Sequence, residues 1–298
     1  MPLPAPLAGR GSEPVTPTVA LTIAGSDSGG GAGMQADLKT FAAHGVFGTA
    51  AVTAVTAQNT MSVTGVVVIE PAFVVAQVEA VLADLRPAAV KTGMLAVGAT
   101  VAAIAELAGR GGLANLVVDP VLVSSTGHRL MDDEGLDAYR TLLLPRAAVA
   151  TPNLREAAML TGRSLADLGS VDAMVAAAEE LRALGTETVV VKGGHLAQAL
   201  GADPADASTP SPDVVVGPGG VVVLDGVRVV TGNDHGTGCS LSAAITANLA
   251  LGMATLDAVR AAKEYVHRGL LGGARWRLGG GHGPIDHFGW SSPRDGAT

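Results

Sequence analysis

The residues best suited to chemistry stand near the C-terminal end, in the string Asp234-His235-Gly236-Thr237-Gly238-Cys239 followed by Ser240-Leu241-Ser242-Ala243-Ala244-Ile245. Two glycines permit a tight turn with exposed N–H groups, and an Ala-rich helix is expected directly behind them. The first amides of a helix lack internal partners, and the helix dipole favours negative charge at that end. Such a turn can cradle a transferring phosphoryl group. Cys239 falls in the first helical turn, where the same field should lower the thiol pKa, and a thiolate facing a hydroxyl can accept its proton. The string is equally compatible with a plain glycine turn and a small buried cysteine.

Other polar residues follow short apolar runs. Val117-Val118-Asp119-Pro120-Val121 is a buried strand ending in a carboxylate, which serves there as turn former or ligand. Thr151-Pro152-Asn153-Leu154-Arg155-Glu156 sets Asn153 and Glu156 at the spacing of a capping box, and the same pair could meet a metal. Val189-Val190-Val191-Lys192-Gly193-Gly194 places a lysine at a strand end before glycines, suited to neutralising phosphates as a point charge. Thr56-Ala57-Gln58-Asn59-Thr60 offers an amide, donor and acceptor together, matching the edge of an aminopyrimidine. Lys91-Thr92-Gly93-Met94-Leu95 ends a further strand, and Met94 reads first as a core residue. Asp37 reads first as an exposed carboxylate in the opening turn of a helix.

The elements that must position these residues alternate. Strands are expected over residues 19–24, 47–56, 63–69, 88–91, 116–119, 147–151 and 188–192. Helices are expected over 34–44, 71–86, 97–108, 132–143, 154–160, 172–184, 236–251 and 256–271. Residues 214–216 and 221–229 look like a small antiparallel β excursion. This order implies an α/β fold with a mostly parallel central sheet and helices on both faces, a three-layer arrangement whose ligand sites lie at the carboxyl ends of strands. Residues 201–212, rich in Ala, Asp, Ser and Pro, read as a surface flap. One domain is expected over 17–290, after a disordered, proline-rich extension at 1–16 and before a tail at 291–298.

Bulk properties narrow the function. Of 298 residues 48% are hydrophobic but only 3% aromatic, so the core must be aliphatic. A net charge of -8 argues against nucleic acid and anionic membrane as partners. The single cysteine excludes an intrachain disulfide and fits a reducing cytoplasm. No stretch of 18 consecutive apolar residues predicts a membrane span. No G-x-x-x-x-G-K-[ST] string occurs, and a dinucleotide fingerprint begun at Gly29 fails at Met34. No Cys/His spacing suggests zinc.

Taken together, the motifs resemble the ribokinase-like kinases, and within them the hydroxymethylpyrimidine/phosphomethylpyrimidine kinase branch. The resemblance covers roughly residues 19–288 and includes the string from Ala24-Gly25-Ser26-Asp27 to Asp37-Leu38-Lys39-Thr40-Phe41. Sugar kinases of that superfamily carry Asp where this chain has Cys239. The resemblance implies a ribokinase-like fold, ATP and Mg2+ as cofactors, a small-molecule pyrimidine substrate and its phosphate, and a homodimer. It makes Gly236, Thr237 and Gly238 the anion hole and Cys239 the catalytic base. It sets Lys192, Asn153 and Thr237 at the nucleotide and Asp119 and Glu156 at magnesium. Gly25, Asp37, Gln58, Met94 and Val121 then contact the substrate. Pyridoxal kinase is the nearest alternative, and a non-catalytic pyrimidine or nucleotide sensor a more distant one.

Overall fold

The apolar runs in the middle of the sheet become strands buried on both faces, and the Ala/Leu-rich stretches between them become the covering helices. The computed structural model describes residues 16–123, 130–201, 203, 208 and 210–291. Most of the expected N-terminal extension and C-terminal tail, and half of the expected flap, lie outside these residues.

In chain order the elements are β1 (Val19–Ser26), α1 (Gly33–Ala43), β2 (Phe47–Gln58), β3 (Val63–Val68), α2 (Pro71–Asp84), β4 (Ala89–Thr92), α3 (Gly98–Gly109), β5 (Val117–Val118) and α4 (Asp133–Ala138). They continue with β6 (Val149–Ala150), α5 (Leu154–Thr161), α6 (Val171–Ala183), β7 (Thr188–Val191), α7 (Leu196–Ala199), β8 (Asp213–Gly217), β9 (Gly220–Leu224), α8 (Thr237–Ala250) and α9 (Thr255–Gly273). One sheet runs β3-β2-β1-β4-β5-β6-β7-β8-β9. Strands β2, β1, β4, β5, β6 and β7 are mutually parallel, while β3 at one edge, and β8 and the edge strand β9 on the other side, pair antiparallel to their neighbours.

Side chains alternate across the inner strands. Val90, Val118, Ala150 and Val189 join a cluster with Val78 of α2, Ile104 of α3, Leu154 of α5 and Met174 of α6. Their neighbours Ala89, Val117, Val149 and Val190 join Ile245 of α8 and Val259 of α9. A third cluster seats Phe41 of α1 on Ala20 and on Ala243 and Ala247 of α8. Three layers result, and every connection from an inner parallel strand leaves at the same edge of the sheet.

Several expected boundaries move. β2 runs to Gln58 rather than stopping at residue 56, because its last turn of ladder pairs with β3, Gln58 opposite Val63. β9 ends at Leu224 instead of running to 229; beyond it the Gly226 carbonyl accepts from the Ser211 amide at 3.0 Å. The helix expected over 132–143 is regular only to Ala138, then widens into a π turn over Tyr139–Leu143, with Tyr139 wholly buried.

Candidate active site

The carboxyl ends of β1, β2, β4, β5 and β7 converge on the N-terminus of α8. Gly236 caps that helix at φ +82°, and a Cβ there would stand 1.9 Å from the Gly31 carbonyl oxygen. Only glycine lets the turn press so closely on the loop after β1. The first helical bond runs from the Ser240 amide to Gly236 O at 2.8 Å. The amides of Gly238 and Cys239 precede it and have no carbonyl partner among the described residues, as an anion cradle requires. The glycine turn expected from sequence is therefore present, and Thr237, whose amide donates to Asp234 O at 3.3 Å, opens the helix.

Lys192 follows β7 and reaches this turn. Its Nζ lies 2.9 Å from Asp119 Oδ1, and a Cβ added at Gly238 would meet that Nζ at 3.2 Å. Asp119 is 2% exposed and also accepts from Thr151 Oγ1 at 3.2 Å and Ser242 Oγ at 3.1 Å. Burial alone would raise its pKa, but Lys192 and Lys91 hold the carboxyl below its ordinary value. Glu156 behaves oppositely. Burial and the nearby Asp119 charge push it up to about 7 against the pull of Lys192.

Asn153 and Glu156 form the capping box that their spacing allows. Asn153 Oδ1 accepts from the Glu156 amide at 3.0 Å, and Glu156 Oε2 accepts from the Asn153 amide at 2.8 Å. The box turns Glu156 toward Lys192 and Asp119. Among the described residues no group of three His, Cys, Asp or Glu side chains could enclose a metal. Two buried carboxylates near the free helix-start amides of α8 nevertheless suit magnesium, which takes few protein oxygens and keeps water and substrate phosphates as its other ligands.

Cys239 is half-buried at the start of α8. Burial pushes its thiol up to about 11, with the Lys91 ammonium and a hydrogen bond from the Gly33 amide opposing. The lowered thiol pKa expected from the helix terminus is thus reversed: desolvation outweighs the dipole here. The residue keeps some exposure, and its thiol lies among the charges of Lys91, Asp37 and Asp119.

Asp37 is not the exposed carboxylate of an ordinary first helical turn. It is wholly buried, accepting from Lys91 Nζ at 2.9 Å and Thr22 Oγ1 at 2.6 Å, while its Oδ1 has no partner. Lys91 is the functional group that sequence reading passed over. Burial alone would lower its pKa, but Asp37, Cys239 and Asp119 hold it above its ordinary value. A lysine inside the run Ala89-Val90-Lys91 was the available signal, since such a residue must find a buried partner.

The other side of the cleft is held by Asp27, also passed over. Its carboxylate accepts from the amides of Gly29, Gly31 and Ala32 at 2.8, 3.1 and 2.8 Å, and from His235 Nε2 at 2.9 Å. Although burial raises it, His235 and the loop amides keep this carboxyl below its ordinary value. His235 in turn lies 3.3 Å from the amide of Gln58, whose backbone is stitched to Ser28 Oγ at 2.6 and 2.7 Å. Met94 folds over Gly25: a Cβ at Gly25 would sit 2.4 Å from Met94 Cε. Val121 is half-buried just beyond Asp119, its amide 2.9 Å from Asp119 O. The structure therefore gathers two groups in one cleft. Lys192, Asp119, Glu156, Asn153 and the turn of Gly236, Thr237, Gly238 and Cys239 form a charged half; Gln58, Gly25 and Met94 form a neutral half, joined to it through His235 and Gly31.

Comparison with known proteins identifies the family. The family model for phosphomethylpyrimidine kinase matches residues 27–286. The hydroxymethylpyrimidine/phosphomethylpyrimidine kinase of Rhizobium meliloti (strain 1021) is 47% identical over 270 residues, covering 91% of this chain and 97% of the relative. Among solved structures, the phosphomethylpyrimidine kinase of Clostridium difficile 630 is 38% identical with a TM-score of 0.71, over 84% of this chain and 97% of that one. An ADP complex of Bacillus subtilis pyridoxal kinase is 36% identical with a TM-score of 0.78, over 91% of this chain and 97% of that one. With the family pattern matching residues 27–286, from Asp27 in the loop after β1 to Asp286 beyond α9, this chain belongs to the phosphomethylpyrimidine kinase family.

Proposed function

We propose that the chain transfers the γ-phosphoryl group of ATP to the 5-hydroxymethyl oxygen of 4-amino-5-hydroxymethyl-2-methylpyrimidine, and a second phosphoryl group to the resulting monophosphate, as a step of thiamine diphosphate biosynthesis. The observation that carries this reading is the position of Lys192. Its ammonium stands between the Asp119 carboxylate and the unpartnered first-turn amides of α8. Phosphoryl transfer asks mainly for positioning and charge stabilisation, and this arrangement supplies both. ATP is the donor in keeping with the ADP found in the B. subtilis pyridoxal kinase structure.

The amide turn and Lys192 take the charge of the transferring group, with Asn153 and Thr237 beside the nucleotide. Asp119 and Glu156 would hold Mg2+ through its water shell, and the ion would neutralise the nucleotide phosphates. Gln58 reads the aminopyrimidine edge, and Met94 and Val121 pack on the ring over Gly25, while Asp37, closed to solvent, fixes the charge of Lys91 beside them. Cys239 accepts the hydroxyl proton. The resting sulfur is a neutral thiol, so this role requires ionisation in the ternary complex, which Lys91 and the Gly33 amide favour.

Incubation with Mg-ATP and the hydroxymethylpyrimidine, followed by mass analysis, is the direct test; absence of both phosphates defeats the activity. A phosphate monoester is already largely ionised near neutral pH and needs little base help. Cys239→Ala should therefore slow the first phosphorylation much more than the second, and equal losses remove the base role. Pyridoxal phosphorylation is a second reading, favoured by the likeness to the B. subtilis enzyme. Catalytic efficiencies on the two alcohols decide between them.

The chain works in the cytoplasm as a homodimer on this reading. No helix among the described residues is long and apolar enough to cross a membrane. The edge strand β3 exposes Val63, Val66, Val67 and Val68 beside Val55 of β2, an apolar edge of the kind that a second copy covers.

A further inference from the structure

On the proposed function Gln58 meets the pyrimidine edge, and what it presents to the ring depends on which way its amide is turned. One end of the amide lies 3.3 Å from His235 Nε2 and the other 3.3 Å from Thr56 Oγ1. A half-turn about the last side-chain bond exchanges oxygen and nitrogen without altering the shape, so the neighbours decide the orientation.

Both neighbours are already committed. His235 Nε2 is 2.9 Å from Asp27 Oδ2. An ionised carboxylate only accepts, so this nitrogen carries a proton. Asp27 cannot turn away, because the amides of Gly29, Gly31 and Ala32 hold both of its oxygens. Thr56 Oγ1 is 2.8 Å from the Ser26 carbonyl oxygen, which also only accepts, and the hydroxyl has one proton to give. The protonated Nε2 has no lone pair, so His235 offers Gln58 only a share of the N–H it gives to Asp27, while Thr56 presents a lone pair. An amide nitrogen facing His235 would set donor against donor, and its oxygen facing Thr56 would set acceptor against acceptor. The opposite orientation removes both conflicts: the amide oxygen shares the Nε2 proton with Asp27, and the amide nitrogen donates to Thr56.

We infer that His235, anchored by Asp27, and Thr56 are positioning residues that hold the Gln58 amide with its oxygen toward His235 and its nitrogen toward Thr56, fixing the order of donor and acceptor that the pyrimidine meets. The amide keeps one N–H and one lone pair for the cleft. A 4-aminopyrimidine edge, with its amine beside a ring nitrogen, matches one order. The 4-oxo analogue, with a carbonyl beside a ring N–H, matches the reverse. Rejection of the analogue follows from the pinned amide, because the wrong edge leaves buried polar groups unpaired.

The test compares kcat/KM for the amino and 4-oxo hydroxymethylpyrimidines in the wild type and in His235→Phe. The wild type should prefer the amino compound strongly, and the preference should fall about tenfold or more when the amide is free to turn. General damage to the site lowers both rates together and leaves the ratio alone, so an unchanged ratio overturns the assignment, as does a wild type indifferent to the two edges. A measurement without any variant covers the case in which His235→Phe does not fold or the wild type phosphorylates neither pyrimidine, the latter outcome defeating the proposed function itself. In unliganded wild-type protein labelled with 15N-histidine, His235 Nε2 should be protonated. An unprotonated Nε2 would accept from the Gln58 nitrogen and overturn the assignment.

Discussion

Lys91 Nζ and Asp37 Oδ2 lie 2.9 Å apart with neither side chain touching solvent. The pair links β4 to α1 close enough for both charges to act on Cys239, and Thr22 of β1 completes it from the sheet. A buried ion pair of this kind contributes little net stability, but losing one partner strands the other charge.

Lys91→Met should therefore destabilise the protein by about 3–5 kcal/mol, since it leaves Asp37 buried with Thr22 alone. The double variant Lys91→Met/Asp37→Leu should recover much of that loss, because both charges leave together. Urea unfolding of the two variants and the wild type measures the coupling. Additive losses would mean that the pair does not act as a unit.

Cys239 gives a second prediction, in which burial and helix dipole pull in opposite directions. With the thiol pushed up to about 11, the thiolate is scarce at neutral pH. Alkylation by iodoacetamide should accelerate about tenfold per pH unit from about pH 8 to about pH 10, because only the thiolate reacts. A rate that levels off near neutrality would show a lowered thiol pKa instead, as the turn at the start of α8 suggests when read without its surroundings.

That reversal marks the boundary of what was legible in the sequence. The alternation of strand and helix was readable because each inner strand is buried on both faces, so Val189-Val190-Val191 and its like stand out as unbroken apolar runs. The turn at Gly236 and Gly238 was readable because glycine is required where the backbone meets Gly31. What could not be read was which charges meet. Lys91 and Asp37 are 54 positions apart, and His235 and Asp27 are 208 apart, so neither pair leaves a local pattern. Electrostatics in a buried site depends on such distant partners and on burial, and the direction of the Cys239 shift followed its burial rather than the helix terminus.

Lys192 should matter to both phosphorylations, because it serves the phosphoryl group rather than the acceptor. Lys192→Ala should lower kcat/KM by about a hundredfold on the alcohol and on the phosphate acceptor alike, the cost of removing one electrostatic donor of about 3 kcal/mol. The Asp119 carboxylate would keep Thr151 and Ser242 as partners, so the fold should survive, and a melting curve checks this. A loss confined to one acceptor would place Lys192 at that acceptor instead.

His287 links acid stability to the same helix. Its Nε2 is 3.0 Å from the hydroxyl of Ser240, the residue after Cys239, and its carbonyl oxygen accepts from Tyr265 OH at 3.0 Å. Burial, aided by the Lys39 charge, pushes its pKa down to about 4 from an ordinary 6.5, with Asp286 opposing. Between those values the unfolded chain binds a proton that the native chain refuses, so stability rises with pH across the window and is lost as pH falls through it. The sign is opposite to that of a histidine gaining a carboxylate partner. The contribution should amount to about 2 kcal/mol by pH 5 relative to neutral pH. Urea midpoints of the wild type and His287→Gln between neutral pH and pH 5 isolate it from the carboxylates. The variant should start less stable and lose less on acidification, and parallel pH curves would show that His287 titrates normally in the folded chain.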